Sequence, residues 1–547
     1  MPRPLTDFHS DDVRVFIDIA MISAFLVLLA ATVSVANLAL ARAAVRRHEL
    51  TLRAALGGRR GRLLRHLLIE ALVLSLLGGI FGIAFAVWGT RATRTAIPAS
   101  FFNYLPGGAF IQVDARALLF TLGTALIVTV LFALLPALRA TGAKLSAVLA
   151  EGSRTSSGGA YGTRIRAVIV VAEVSVALAL LTCAVLMSGS VRNMLVADPG
   201  VRRDHVLTMH LSMSRGLSDS AARAFIRRTD AELHALQGVR GAAFVSTTPL
   251  SNNSWGTHFE IAGRPPATPE LEAIDQLVTH DYFSTAGVRV LSGRMLESRD
   301  DAPDAPRTAV INHYMKERFW PTTDPVGSTL IIDSLPWTIV GVSADVRHHG
   351  FEEPIRNTIY RSALATVARA LDVNVWTAGD PSVMRDPVRR AIAAIDPDAA
   401  VGELLTMQEL EARHVSAFKV MASGLTIFAG ITVVIAVVGL YGIIAYGVAQ
   451  RRREIGIRIA LGATARRIVR DIAAGGARLT IIGIAIGGVA GVALAQLLRS
   501  VLYGVSATDP RTPLAVAALL LAVALLATVI PAWRALRVDP ATVLRET

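Results

Sequence analysis

The sequence predicts a polytopic α-helical membrane protein of about seven transmembrane helices with one large α+β extracytoplasmic domain. Three observations predict it. Hydrophobic residues make up 53% of the 547 and charged residues 18%, with a mean hydropathy of +0.50, whereas charged residues fill about a quarter of an ordinary soluble domain. Apolar runs near the roughly 20 residues that cross a bilayer as a helix occur at 15–42, 67–90, 116–138, 167–187, 420–449, 479–498 and 513–533. One interval between them, 191–417, is long enough to bury a core of its own.

In chain order, residues 1–150 hold three spans, 151–190 a linker and a fourth, 191–417 the soluble domain, and 418–547 three more spans. The formal charge of +13 is unevenly placed: residues 191–417 carry 23 Lys+Arg against 28 Asp+Glu, leaving 32 against 14 for the rest. The basic excess therefore flanks the spans, where the positive-inside rule reads it as orientation; no nucleic-acid partner is needed to explain it. That rule puts 42–66, 139–166, 450–478 and the C-terminus on the cytoplasmic side. Residues 191–417 and the N-terminus then fall outside. The start MPRPLTDFHSDD lacks a basic n-region, so no cleaved signal is read. Cys183, the single cysteine, lies in an apolar run and offers neither a disulfide nor a thiolate metal set. The run from Val420 to Ala449 would extend about 45 Å as a helix, beyond a hydrocarbon core of about 30 Å, which predicts either tilt or a rigid extension toward the outer domain.

A segment is written twice. RRHELTLRAALGGRRGRLLRHL from Arg46 and RRREIGIRIALGATARRIVRDI from Arg451 share Arg, Glu, Arg and Ala-Leu-Gly positions, and PALRATG from Pro136 is echoed by PAWRALR from Pro531. Such self-similarity indicates a repeated unit. In each copy a glutamate stands four residues before an arginine, Glu49 before Arg53 and Glu454 before Arg458, the favourable order for a helical ion pair. Gly462 suits the left-handed residue that closes a helix, and Thr464 is placed to cap the next one. The expectation is a helix, a turn at Leu-Gly, and a second amphipathic helix leading into the following span.

Within 191–417, HVLTMHLSMS alternates as a half-buried strand with Leu207, Met209, Leu211 and Met213 on one face. SDSAARAFIRRTDAELHAL spaces Ala222, Phe225, Ile226, Thr229 and Leu233 as a helix. RTAVIN, GSTLIID, WTIVGVSAD and DVNVW read as strands, and PSVMRDPVRRAIAAI as a helix. No Ser-His-Asp signature, HExxH motif or P-loop occurs. His348 and His349, adjacent in the chain, would point to opposite faces of an extended segment. No catalytic residue, bound cofactor or metal site is expected. Glu173, about two turns into its span, is an intramembrane acid of uncertain role; the glycine pairs at 78–79 and 487–488 are expected to permit close helix packing.

R-R-x-E-x-x-x-R-x-A-L-G between two spans, with P-A-x-R-A after the third, resembles the permeases of the FtsX/MacB group of ABC transporters. TVSVANLALARAAVRRHELTLRAALGGRRGRLLRHLLIEALVLSLLGG and RIRAVIVVAEVSVALALL are similar to duplicated permeases of acidobacterial type, and KERFWPTTDPVGSTL and VGVSADVRHHG to a MacB-like periplasmic domain, which in the family divides into two subdomains. The resemblance implies a bacterial inner-membrane protein coupled to a separate cytoplasmic ABC ATPase that binds ATP. It implies docking on Arg452, Glu454, Arg458, Leu461 and Gly462 in one copy and on Arg47, Glu49, Arg53, Leu56 and Gly57 in the other. An envelope or outer-membrane partner and a second permease chain are further expected partners besides the lipid bilayer. Family members have four spans per copy, so the first copy here is expected to lack its leading span and outer domain. A regulatory protein that switches an envelope enzyme, or an ATP-independent receptor or scaffold, is the alternative function.

Overall fold

The computed structural model describes residues 17–35, 60–96, 114–116, 118–127, 130, 157–214, 216–251, 256–265, 271–450, 454, 457–458, 461 and 463–535. It divides into two compact units, Met1–Val191 with Phe418–Thr547, and Arg192–Ala417. The first unit opens with helices α1 (Ile17–Val35), α2 (Arg60–Ala96), α3 (Leu118–Ile127) and α4 (Ser157–Val196). Among the described residues six helices are long and apolar enough to cross a membrane. Of the span expected at 116–138, α3 is the main described part; its second half lies outside the described residues.

The outer unit, Arg192–Ala417, is α+β. Its elements are β1 (Val206–Ser212), α5 (Asp219–Ala235), β2 (Val239–Val245), β3 (Gly256–Ile261), β4 (Leu271–Val278), α6 (Tyr282–Ala286), β5 (Val290–Gly293), β6 (Thr308–Asn312), α7 (His313–Phe319), β7 (Thr329–Ile332), β8 (Leu335–Ser343), β9 (Thr358–Ser362), α8 (Ala363–Thr366), β10 (Ala370–Thr377), α9 (Arg385–Ile395), β11 (Ala400–Val401) and β12 (Leu405–Thr406). The strands run in the order β11-β1-β10-β2-β4-β3-β7-β8-β6-β9. β4 also pairs in parallel with β9, from Ile274 opposite Thr358 to Val278 opposite Ser362, and so closes the last six strands on themselves. Closure removes exposed edges.

β2 meets β4 through a single pair, Val245 with Val278, so the open sheet and the closed one are joined narrowly. α5 and α9 cover the open sheet. Their Ala222, Phe225, Ile226, Leu233, Val388 and Ile392 form one core with Leu207, Met209 and Leu211 of β1. A second core fills the closed part around Phe259, Ile311, Leu330, Trp337 and Ile359. The alternation read in β1 puts Leu207, Met209 and Leu211 in that core, with Met213 just beyond the strand; on the other face His210 is exposed as expected, but Thr208 is buried, its hydroxyl 2.9 Å from that of Thr248.

The chain then enters α10 (Met407–Gln450), followed by α11 (Ala465–Leu497) and α12 (Arg511–Ala535). α10 begins 13 residues before the span expected at 420–449, and it is continuous across the division between the two units. The amphipathic helix expected after Thr464 and the span expected at 479–498 are one helix, α11. In the membrane unit Val170, Val174 and Leu178 of α4 pack with Ala436, Leu440 and Ile444 of α10 and Val516, Leu520 and Ala524 of α12.

α11 is drawn against α4 by glycine. A Cβ at Gly487 would lie 2.7 Å from the Ser175 carbonyl oxygen and 2.8 Å from its Cα, and one at Gly483 would lie 2.7 Å from the Val174 Cβ. Ser175 Oγ, besides bonding within its own helix, donates to the Gly483 carbonyl at 2.9 Å. In a bilayer, where helix association relies on packing and interhelical hydrogen bonds, such close approach is a principal source of stability. Only one glycine of the 487–488 pair is at the contact, because Gly488 faces open space. Gly487→Leu is therefore expected to lower the thermal stability of the detergent-purified protein by an overpacking cost of about 1–3 kcal/mol or more. Gly488→Leu should leave the melting temperature within a degree or two of the parent.

Candidate functional site

The turn between α10 and α11 is built from local rules. Glu454 and Arg458, both helical, form an exposed ion pair with Oε1 to Nη2 at 2.6 Å. The Leu461 amide bonds to the Ile457 carbonyl at 2.9 Å and the Ala463 amide reaches the Arg458 carbonyl at 2.9 Å. The second bond has the six-residue span of a Schellman ending. Thr464, at φ −71° and ψ 142°, occupies the N-cap position of α11, but its side chain makes no capping bond. The helix is entered through backbone geometry instead, with the Arg467 amide on the Thr464 carbonyl at 3.0 Å. Leu461 is 82% exposed.

Of the other expected docking residues, Arg452 and Gly462, and all five in the first copy, Arg47, Glu49, Arg53, Leu56 and Gly57, lie outside the described residues.

The opposite end of α10 is fastened into the outer unit. Thr406 and Glu409 make a capping box: the Glu409 amide donates to Thr406 Oγ1 at 3.1 Å, and the Thr406 amide to Glu409 Oε2 at 2.8 Å. This reciprocal pair satisfies donors that a helix start leaves open, and it explains why the helix begins at Met407 rather than where the apolar run begins. Four cross-links follow within two turns. Arg385 pairs with Glu409 at 2.5 Å, Arg203 with Glu411 at 3.3 Å, Arg413 with Glu403 at 2.5 Å, and His414 with Glu352 at 2.9 Å. Gln408 donates to Asp204 at 2.8 Å. Met407, 2% exposed, is seated in a core with Tyr282, Val346 and Tyr360. Any one exposed ion pair is worth little, but five contacts from four segments, at 203–204, 352, 385 and 403, together fix the position of this helix end. The sequence reading placed this end in the soluble domain without seeing the clamp. T-M-Q-E at 406–409 was its signal.

Glu173 of α4 is 1% exposed. Its carboxylate lies against Gly439 of α10, where a Cβ would collide with it, and faces Ser34 of α1. The acid thus sits at a meeting of three helices, one of which is the long α10.

His348 is fully enclosed. Its Nδ1 is 3.3 Å from Gln276 Nε2 and its Nε2 3.3 Å from the Tyr360 hydroxyl. Burial, with a smaller contribution from His349, pushes its pKa down to about 3, so the ring is neutral and belongs to a buried polar nest rather than to a reactive site.

Apolar spanning helices, a basic capped turn and a clamped outer α+β unit define a membrane permease class with an extracytoplasmic core domain. Comparison with known proteins gives the family. The FtsX-like permease C-terminal model matches residues 21–145 and 426–540, and the MacB-like periplasmic core domain model matches 168–403. The chain thus combines an FtsX-like permease region, matched on both sides of the outer unit, with a MacB-like periplasmic core domain. Similar curated proteins include a probable export ATP-binding/permease protein of Pseudomonas fluorescens, 27% identical over 40% of this chain and 34% of its own length. The pyoverdine export ATP-binding/permease protein PvdT of Pseudomonas syringae pv. tomato is 27% identical over 45% and 39%. The macrolide export protein MacB of Aggregatibacter actinomycetemcomitans is 23% identical over 40% and 34%. The chain thus spans little more than a third of the length of these relatives. A solved periplasmic region of MacB from Actinobacillus actinomycetemcomitans is 14% identical with a TM-score of 0.28, covering 38% of this chain and 92% of that one.

Proposed function

We propose that this chain is the permease subunit of an export-type ABC transporter, and that it transmits ATP-driven movement to its outer unit rather than binding ATP itself. The observation that supports this most is α10. Its 44 residues extend about 66 Å at 1.5 Å per residue, against a hydrocarbon core of about 30 Å. A helix of that length, clamped by a capping box and ion pairs at 403–414 and ending near the Glu454–Leu461 turn, is suited to carry a push as a rigid rod.

In this reading the ATPase is a separate cytoplasmic polypeptide, which supplies the P-loop that this sequence lacks, and it docks on Leu461 with Glu454 and Arg458 beside it. Residues 192–417 are then extracytoplasmic and the C-terminus cytoplasmic. Export is favoured over a purely regulatory role by the similar proteins, which carry the names of macrolide and pyoverdine exporters.

Docking is tested by co-purifying the full-length chain with its cognate ATPase from membranes. Leu461→Asp should reduce the recovered ATPase at least tenfold. The double exchange Glu454→Arg with Arg458→Glu keeps the i,i+4 pair while reversing its surface, and should also weaken recovery. Undiminished recovery with both variants would place the ATPase elsewhere.

A further inference from the structure

We propose that Ser212, His210 and Asp372 of the outer unit form a relay for acyl transfer, with Ser212 the nucleophile and small carboxylic esters the substrate class. His210 and Ser212 are two residues apart on β1, so both side chains leave the same face of the strand. Asp372 of β10 stands directly opposite His210 in the ladder, at a spacing where cross-strand side chains meet. Ser212 Oγ lies 3.2 Å from His210 Nε2, and His210 Nδ1 lies 2.8 Å from Asp372 Oδ1. A carboxylate only accepts, so Nδ1 carries the N–H of the neutral ring and Nε2 is left to accept the Ser212 hydroxyl proton. Nucleophile, base and orienting acid stand in the order that acyl-transfer sites use.

The relay is held from behind. Asp372 Oδ2 accepts from the Thr248 amide at 2.6 Å, and the Thr248 hydroxyl, 2.9 Å from that of Thr208, donates to Asn374 Oδ1 at 3.1 Å. The Asp372 side chain is 13% exposed and that of His210 54%, so the acid is fixed in the fold while the base faces solvent. The front is open. The residues opposite Ser212 on its two neighbouring strands are Ala370 and Ala400, both exposed. Gly402 lies against His210, its amide donating to the His210 carbonyl at 2.8 Å, and a Cβ there would come within 3.2 Å of the His210 Cβ. Small residues thus border the serine and the histidine, and an ester carbonyl can reach the hydroxyl.

In the first step Ser212 Oγ bonds to the ester carbonyl carbon as its proton passes to His210 Nε2. The bond to the leaving oxygen then breaks, and that oxygen takes the proton, releasing an alcohol and leaving acyl-Ser212. Water next attacks the acyl carbon and gives a proton to His210; Ser212 Oγ departs with that proton, and a carboxylic acid is released. Water is the sole co-reactant. Asp372 touches no substrate: it is a positioning residue that fixes the tautomer of the base. Its hydrogen bond and charge raise the His210 pKa above the ordinary histidine value, against the opposing effect of partial burial. The base is therefore protonated at acid pH and becomes competent as pH rises.

The test uses full-length protein in detergent, treated with a fluorophosphonate probe and, separately, with p-nitrophenyl acetate. The expected result is a covalent adduct on Ser212, located by peptide mass spectrometry, and hydrolysis of the acetate ester that rises with pH. Ser212→Ala should abolish the adduct and, like His210→Gln, lower hydrolysis at least tenfold, while Ser298→Ala, at an exposed serine outside the relay, changes neither. Asp372→Asn should lower hydrolysis and move the midpoint of its pH–rate profile to lower pH, which a loss of packing alone would not do. Melting temperatures check that each variant is folded, and Ser212→Ala carries the test if Asp372→Asn is not. Absence of a Ser212 adduct in the parent, or ester hydrolysis equal in parent and Ser212→Ala, overturns the proposal.

Discussion

Inserting three glycines between Ala417 and Phe418 is expected to abolish ATP-driven movement of the outer unit while leaving ATPase docking intact. The insertion falls within α10, after the clamp at 403–414 and before the membrane-spanning part. Glycine costs about 1 kcal/mol per residue in a helix interior. Three added residues also leave the two halves of the helix roughly 60° out of register and about 4.5 Å further apart, so the rod is both softened and misaligned. The clamp is local to residues below 418: the Thr406–Glu409 capping box, Arg203–Glu411, Arg413–Glu403 and His414–Glu352. The outer unit should therefore retain its own unfolding transition. Cognate ATPase should still co-purify, because the Glu454–Arg458 pair and Leu461 lie beyond the insertion. The expected loss falls on transport in reconstituted vesicles, which should drop to background.

The second large effect is acid lability of the outer unit, and its source is His348. Burial holds the folded pKa at about 3, whereas an unfolded histidine titrates near 6.5. Between these values the unfolded chain binds a proton that the folded one refuses. Stability therefore falls as pH falls through that window, by up to about 1.4 kcal/mol per pH unit. From pH 7 to pH 5 the loss from this one residue is about 2 kcal/mol, a large part of a typical domain's margin. Denaturant unfolding of the outer unit across pH 4.5–7.5 should show the decline. His348→Gln should flatten the slope over that range even if it lowers stability at neutral pH. Parallel pH curves for parent and variant would show that the nest admits a charged imidazole.

Much of the architecture was legible because hydrophobic period and charge act locally. β1, α5 and α9 appear where alternation and helical spacing put them, and the buried face of α5 is the one read from Ala222, Phe225, Ile226, Thr229 and Leu233. β9 was not legible. Thr358–Ser362 is buried at every position, so it has no alternation to read, and its parallel partner β4 is about 84 residues away in sequence by the Ile274 to Thr358 register. The early start of α10 was hidden for a different reason: its first turns are polar, and hydropathy marks only the membrane part. A capping box supplied what apolar content did not.

At the site, the i,i+4 logic of Glu454 and Arg458 was readable from spacing alone, since both partners lie on one helix. The clamp was not. Its arginine and glutamate partners, such as Arg203 with Glu411 and Arg385 with Glu409, come together only after the sheet has folded.

The most direct test of coupling is hydrogen–deuterium exchange on the full-length chain in nanodiscs with its cognate ATPase, comparing nucleotide-free, ATP-bound and trapped hydrolysis states. If α10 carries the motion, protection of residues 403–417 changes with nucleotide state, and the glycine insertion erases that change while the ATPase remains bound and active. Exchange at 403–417 that is the same in every nucleotide state, with the ATPase bound and hydrolysing ATP, would contradict transmission through this helix.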